Sequence, residues 1–237
     1  MKKCLLMILG MVAFGGLMAQ TVINDPNAVT RNAKDFHGIE VSSAINLYLS
    51  QGNEEAVAVS AVDTKYRDLI KTEVVNGVLK IYLDRDGWKW SSGDKKLKAY
   101  VSIKTIDRLS GSGASDIMVD GYLSGTKFDV RLSGASDFKG GIKFDEVSLD
   151  QSGASDVTIN GTAHHLTIEA SGASNVKGYD LVTEECSVRA SGASDIKISV
   201  NKELNAKATG ASSISYKGDG VIRDLHSSGA SSISKKG

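Results

Sequence analysis

The chain has 237 residues, with 28 basic and 28 acidic side chains, a single proline and two cysteines. Zero formal net charge gives no electrostatic footprint for nucleic acid and no strong attraction to anionic membranes. The length suits one sizeable solenoid or two small domains, and Pro26 alone argues against a long proline-rich linker.

Lys2 and Lys3 precede an apolar run from Leu5 to Leu17, and the small Ala19 stands before Gln20. This is the pattern of a secretory signal peptide over residues 1–19, and the run is too short to span a bilayer comfortably. No transmembrane segment is expected in the mature chain. Cleavage after Ala19 would remove Cys4 and leave Cys186 alone, so no internal disulfide is expected. Residues 20–35 are polar, carry Asp25, Pro26 and Asn27, and read as a flexible leader or a loosely docked strand.

Order is expected from Phe36, with an N-terminal β region over 36–105. Ile39, Val41, Ile45, Leu47 and Leu49 fall largely at alternate positions, as do Val57 and Val59, which marks half-buried strands. Asp63 to Ile70 could make a short helical turn capped by Asp63 or Thr64. Asn76-Gly77 joins two apolar stretches as a two-residue hairpin, since both residues tolerate positive φ. A polar loop from Asp84 to Lys96 carries Trp88 and Trp90, and alternation resumes from Leu97 to Ile106.

From 106 to 237 one word, [S/T]GAS, recurs seven times, beginning at Ser112, Ser133, Ser152, Ser171, Ser191, Thr209 and Ser228 at intervals of 18 to 21 residues. A unit this small cannot bury its own apolar face and must stack on copies of itself. Three and five positions before the motif stand Val130 and Phe128, Leu149 and Val147, Ile168 and Leu166, Val188 and Cys186, Ala206 and Leu204. After it come Ile117, Phe138, Val157, Val176, Ile196, Ile214 and Ile233. These columns should face inward, on short strands separated by a tight bend in which glycine adopts special backbone angles and alanine lies inside the corner. The column two before the motif, Ser110, Arg131, Asp150, Glu169, Arg189, Lys207 and His226, should face solvent. The fold expected is all-β, a right-handed parallel β-helix continuous with the N-terminal β region.

These features resemble the auto-transporter adhesin head domain family called head GIN. The matching residues are the leader, Gly38-Ile-Glu-Val-Ser, Ile45-Asn-Leu-Tyr-Leu-Ser-Gln-Gly, Asn76-Gly-Val-Leu-Lys-Ile-Tyr-Leu and the serial Ser-Gly-Ala-Ser-Asp turns. The resemblance covers the chain from about Phe36 onward and implies an adhesive, β-helical head of an exported envelope protein. It brings no catalytic residues.

Seven equivalent corner serines offer none with the unique base and oxyanion hole that a nucleophile needs. Adjacent His164 and His165 on a strand would point to opposite faces and could not share a metal. Cys186 replaces an aliphatic residue in an inward column and behaves as one. The column after the motif, Asp116, Asp137, Asp156, Asn175, Asp195, Ser213 and Ser232, offers oxygen ligands of the kind calcium accepts between coils. Its simpler reading is that Asp116, Asp137, Asp156 and Asp195 cap their turns. Trp88 and Trp90 suit either a glycan-binding surface or a lid on the solenoid. The function expected is therefore a non-enzymatic adhesin or envelope-associated binding module, periplasmic or on the outer surface. Its partner would be a glycan or an envelope or host-surface protein, and it could form homo-oligomers. A structural envelope protein is the alternative, and a polysaccharide-active β-helix enzyme the less favoured one.

Overall fold

Side chains at every second position of an extended chain face the same way, so apolar columns can be buried only by curling each unit around them and stacking the units. The computed structural model, which describes residues 25–84 and 95–236, has that arrangement: a parallel β-solenoid of about 7 turns with essentially no helix. Strands β1 (Val29–Arg31), β2 (Gly38–Val41), β3 (Asn46–Gln51) and β4 (Ala56–Ser60) precede one helical turn, α1 (Thr64–Arg67). Then come β5 (Ile70–Val75), β6 (Val78–Leu83), β7 (Lys98–Ile103) and β8 (Arg108–Gly111). The repeats form β9 (Asp116–Leu132), β10 (Asp137–Gln151), β11 (Asp156–Ala170), β12 (Asn175–Ala190) and β13 (Asp195–Ala208). The stack ends with β14 (Ser213–Lys217), β15 (Val221–Ser227) and β16 (Ser232–Lys235).

The stacking is like on like. Phe138 pairs with Ile117 below and Val157 above, and the column continues through Val176, Ile196 and Ile214 to Ile233. All but Ile233 are buried, as are the two columns before the motif. A further inward column stands immediately before the motif, at Leu132, Gln151, Ala170, Ala190 and Ala208. Gln151 is tolerated there because its Nε2 donates to the Ser155 and Asn175 carbonyls.

Two local expectations change. The repeats from Asp116 to Ala208 are each one bent strand of 14 to 17 residues rather than two short ones, because the ladders to neighbouring coils continue through the bends, while the next repeat does split into β14 and β15. The corner alanines are exposed, and the last serine of the motif lies inside instead. In every corner after the first its hydroxyl folds back to donate to the carbonyl three residues earlier, as Ser155 does to Ser152 and Ser174 to Ser171, whereas the Ser115 hydroxyl is buried without a partner. Serine suits the inner corner because it is small and its hydroxyl can be satisfied by the turn's own carbonyl.

Unequal repeat lengths are absorbed at bulges. Where β9 uses Met118 to Tyr122, β10 uses only Lys139 to Gly141. Where β11 uses Thr158 to Asn160, β12 uses Lys177 to Asp180. Extra residues therefore leave the columns on either side in register.

The N-terminal region adds coils to the same stack, in an order different from that of the chain. β2 lies between β6 and β8, all parallel, and β3 lies between β7 and β9. The chain thus runs from β7 to β8 past a coil already laid down. Ser42 to Ile45 makes the corner of that wedged coil, with Ser43 and Ala44 at φ 68 and 59 where the repeats have glycine and alanine. The Asn76-Gly77 hairpin forms, joining antiparallel β5 and β6, and Asp63 caps α1 by accepting from the Lys65 amide. Antiparallel β4 and β1 pair outside β7.

Candidate binding surface

The interior of the solenoid is filled by its own side chains, with Phe128 stacked on Phe144 at 4.8 Å. A ligand must therefore meet the outer faces. On these, some charged side chains pair with the coil next door: Arg189 with Glu169 at 3.0 Å and Lys202 with Glu184 at 2.7 Å. Two shallow open depressions lie there, of about 310 Å³ beside Asp150, Glu169, Arg189 and Lys207, and about 390 Å³ beside Lys127, Glu146 and His165.

Trp88 and Trp90 lie outside the described residues. The aspartate column stands in register on successive coils, with Asp137 paired to Asp116 and Asp156 to Asn175. Asp137, Asp156 and Asp195 bridge coils, while the last serine of the motif closes every corner after the first. Asp137 accepts from the Asp156 amide at 3.2 Å, and the Asn175 amide donates to Asp156 at 2.7 Å. Asp195 accepts from Ser213 and Lys197; although burial raises its pKa, these hydrogen bonds outweigh it and leave the carboxyl below its usual range. Asp116 is shifted the other way, upward, by burial and then by the charge of Asp137. Among the described residues, no three histidine, cysteine, aspartate or glutamate side chains converge as a metal cluster would.

His164 and His165 both face solvent, since the chain bends there and breaks the alternation that would have put them on opposite faces. They remain apart in partnership: His164 meets Asp145 and His165 meets Glu185, each at 3.1 Å. Cys186 is buried, and burial pushes its thiol up to about 12, so it stays a neutral core side chain. The corner serines at 136, 155, 174, 194 and 212 are buried and donate to backbone carbonyls, an arrangement that holds the turn and leaves the hydroxyl oriented away from any substrate.

The profile of the family described as "Putative auto-transporter adhesin, head GIN domain" matches residues 35–220. The chain belongs to this family. The head GIN fold recurs in solved structures. A putative adhesin from Bacteroides fragilis is 22% identical, with 90% of this chain and 98% of that one covered and a TM-score of 0.83. A putative lipid binding protein from Parabacteroides distasonis is 21% identical, with 90% and 98% covered and a TM-score of 0.68. A putative adhesin from Parabacteroides merdae is 14% identical, with 89% and 95% covered and a TM-score of 0.66. At these identities the likeness is one of fold. No curated protein matches the chain. Among the described residues no helix is long and apolar enough to cross a membrane.

One feature of this head GIN domain had no distinct signal in the sequence. On the face formed by the bulged bends, Tyr122 and Val182 are exposed hydrophobics at 50% and 49%. Their offsets from the motif differ between repeats, so only the register across the bulges brings them to one surface. An outward tyrosine and valine among polar positions were the only hint available.

Proposed function

We propose that this head GIN domain is an exported, non-enzymatic binding module that holds a glycan or an envelope or host-surface protein on an outer face of its solenoid. The observation that carries the reading is the family match over residues 35–220 on a solenoid whose interior is closed by its own side chains. A stack of rigid coils with a regular lateral surface presents an extended recognition face, as repeat proteins do. Buried corner serines and a buried, neutral Cys186 supply no activated nucleophile, which supports a binding role over a catalytic one. An acyl chain would need an apolar cavity, and the depressions described above are lined largely by charged and polar side chains, which favours a polar ligand over a lipid tail.

Protease treatment of intact cells tests the location, and attachment of cells with and without the protein to glycan- or protein-coated surfaces tests the role. Digestion from outside together with lost attachment on deletion is the expected result. Full protection of the protein inside intact cells, with attachment unchanged, would move it to a periplasmic structural role.

A further inference from the structure

We propose that Tyr122, Lys143, Asn160, Thr162, Asp180 and Val182 form a binding site for a neutral glycan chain, an inference that rests on the binding-module reading and names its ligand class. Two columns lie side by side across four coils. Tyr122, Gly141, Asn160 and Asp180 stand in one, and Ser124, Lys143, Thr162 and Val182 in the other. Three strand spacings make this surface about 14 Å long, enough for an oligosaccharide rather than a single sugar.

Glycine at 141 makes the platform. A Cβ there would lie 2.6 Å from Cδ1 of Tyr122 and 2.9 Å from Oδ1 of Asn160, so both side chains rest against bare backbone. The ring is therefore supported from beneath and half exposed, with the Lys143 ammonium over it 4.5 Å from its centroid, so a ligand that stacks on the ring moves the Lys143 side chain aside. A supported, exposed ring loses little conformational entropy when a ligand covers it.

Apart from Lys143, which rests on the ring, the polar groups of the proposed site are uncommitted. Several outward charges elsewhere on the solenoid pair with the next coil, as in Arg189–Glu169, Lys202–Glu184 and Arg223–Glu203. Among the described residues, Lys143 and Asp180 enter no ion pair, and the Asn160 and Thr162 side chains make no hydrogen bond. An amide, a hydroxyl and a carboxylate thus stand with donors and acceptors facing water, beside an aliphatic side chain and an aromatic ring that carries the Lys143 ammonium. A pyranose has the complementary form, with an apolar face of C–H groups for the ring and an equatorial belt of hydroxyls for the polar groups. One cation against one anion selects an uncharged chain. A lipid tail would leave these polar groups unpaired, at a cost that disfavours it.

A microarray of neutral glycans, followed by calorimetric titration with the hexose trimers that bind, tests the site in the full mature chain. Tyr122→Ala should weaken binding at least about tenfold, as loss of a central aromatic anchor does. Tyr122→Phe should hold affinity within about threefold, because the ring face is kept while a single rim hydroxyl is lost. Asp180→Asn and Asn160→Ala should each weaken it, with melting temperatures unchanged because both side chains are solvated. Binding of a neutral glycan that is indifferent to Tyr122→Ala would overturn the site. An array without neutral hits would overturn the ligand class, and if cells still needed the protein for attachment the broader reading would stand without it. Tyr122-dependent glycan binding by a protein that intact cells shield from protease would support this site while removing the adhesin role.

Discussion

The position that a Cβ would take on Gly172 lies 2.4 Å from the carbonyl oxygen of Gly153 in the coil below. That same oxygen accepts from the Ala173 amide at 2.7 Å, and Gly172 itself sits at φ +79. Two independent constraints therefore demand glycine: a left-handed backbone and contact between stacked corners closer than any side chain permits. Gly172→Ala should cost about 2–4 kcal/mol, combining the conformational penalty with overpacking. Ser174→Ala removes a buried hydroxyl that donates to Ser171 and should cost about 1 kcal/mol. Urea melts of the two variants check the order. Equal losses would mean that the stacked backbones separate readily and that the glycine is dispensable.

The register makes neighbouring residues opposite in consequence. Ile168 is buried and Thr167, one residue before it, faces solvent. Ile168→Asp should cost several kcal/mol, since a charge enters an apolar interior with no partner, while Thr167→Asp should change stability by less than about 0.5 kcal/mol. Thermal melts followed by far-ultraviolet circular dichroism decide it. A mild effect of Ile168→Asp would contradict the inward placement of its column.

Asp116 faces Asp137 from the adjacent coil, and burial, followed by that charge, raises its carboxyl above the usual range. A raised acid binds its proton more tightly in the folded state, so its contribution to stability falls as pH rises from the ordinary carboxylate range through the raised value. Asp116→Asn should therefore stabilise the protein at neutral pH by up to about 1 kcal/mol, the scale of a cross-strand pair. The gain should vanish in acid, where both carboxyls are protonated. Asn175 donating to Asp156 shows the arrangement that an amide makes available in this column. Denaturant melts across the acid range supply the test, and adding calcium to both proteins separates repulsion from metal binding. A calcium-dependent rise in the wild-type melting temperature that Asp116→Asn abolishes would identify the column as a cation site.

Much of the solenoid was legible because its signals are local. Alternation tells which side chains share a face, and the recurring glycine marks each corner, so Leu149, Ile168 and Val188 could be placed inside from spacing alone. The corner at Ser42 to Ile45 carries no such signal, because it lacks the glycine and ends in isoleucine, and its backbone turns through two left-handed residues, Ser43 and Ala44, where the repeats use one. The corner serine and alanine exchanged their expected places for a similar reason. Both are small, and only the hydrogen bond from Ser155 to Ser152 shows which turns inward. The Tyr122 surface was hidden because bulges shift its members by different amounts in different repeats.

The sequence by itself determined that this chain stacks, which side chains fill the stack, and that its corners need glycine, since these follow from pleat geometry and steric limits within a few residues. Tertiary structure alone decided the order of the coils, with β2 and β3 wedged between strands that follow them in the chain. It also decided which outward residues meet across the bends. Similar apolar faces can pair in more than one order, so local pattern cannot choose among them. Only the full set of pairings, with the β5–β6 hairpin beside β2 and antiparallel β4 and β1 beside β7, distinguishes one order from another, and the bulges set which outward side chains are neighbours.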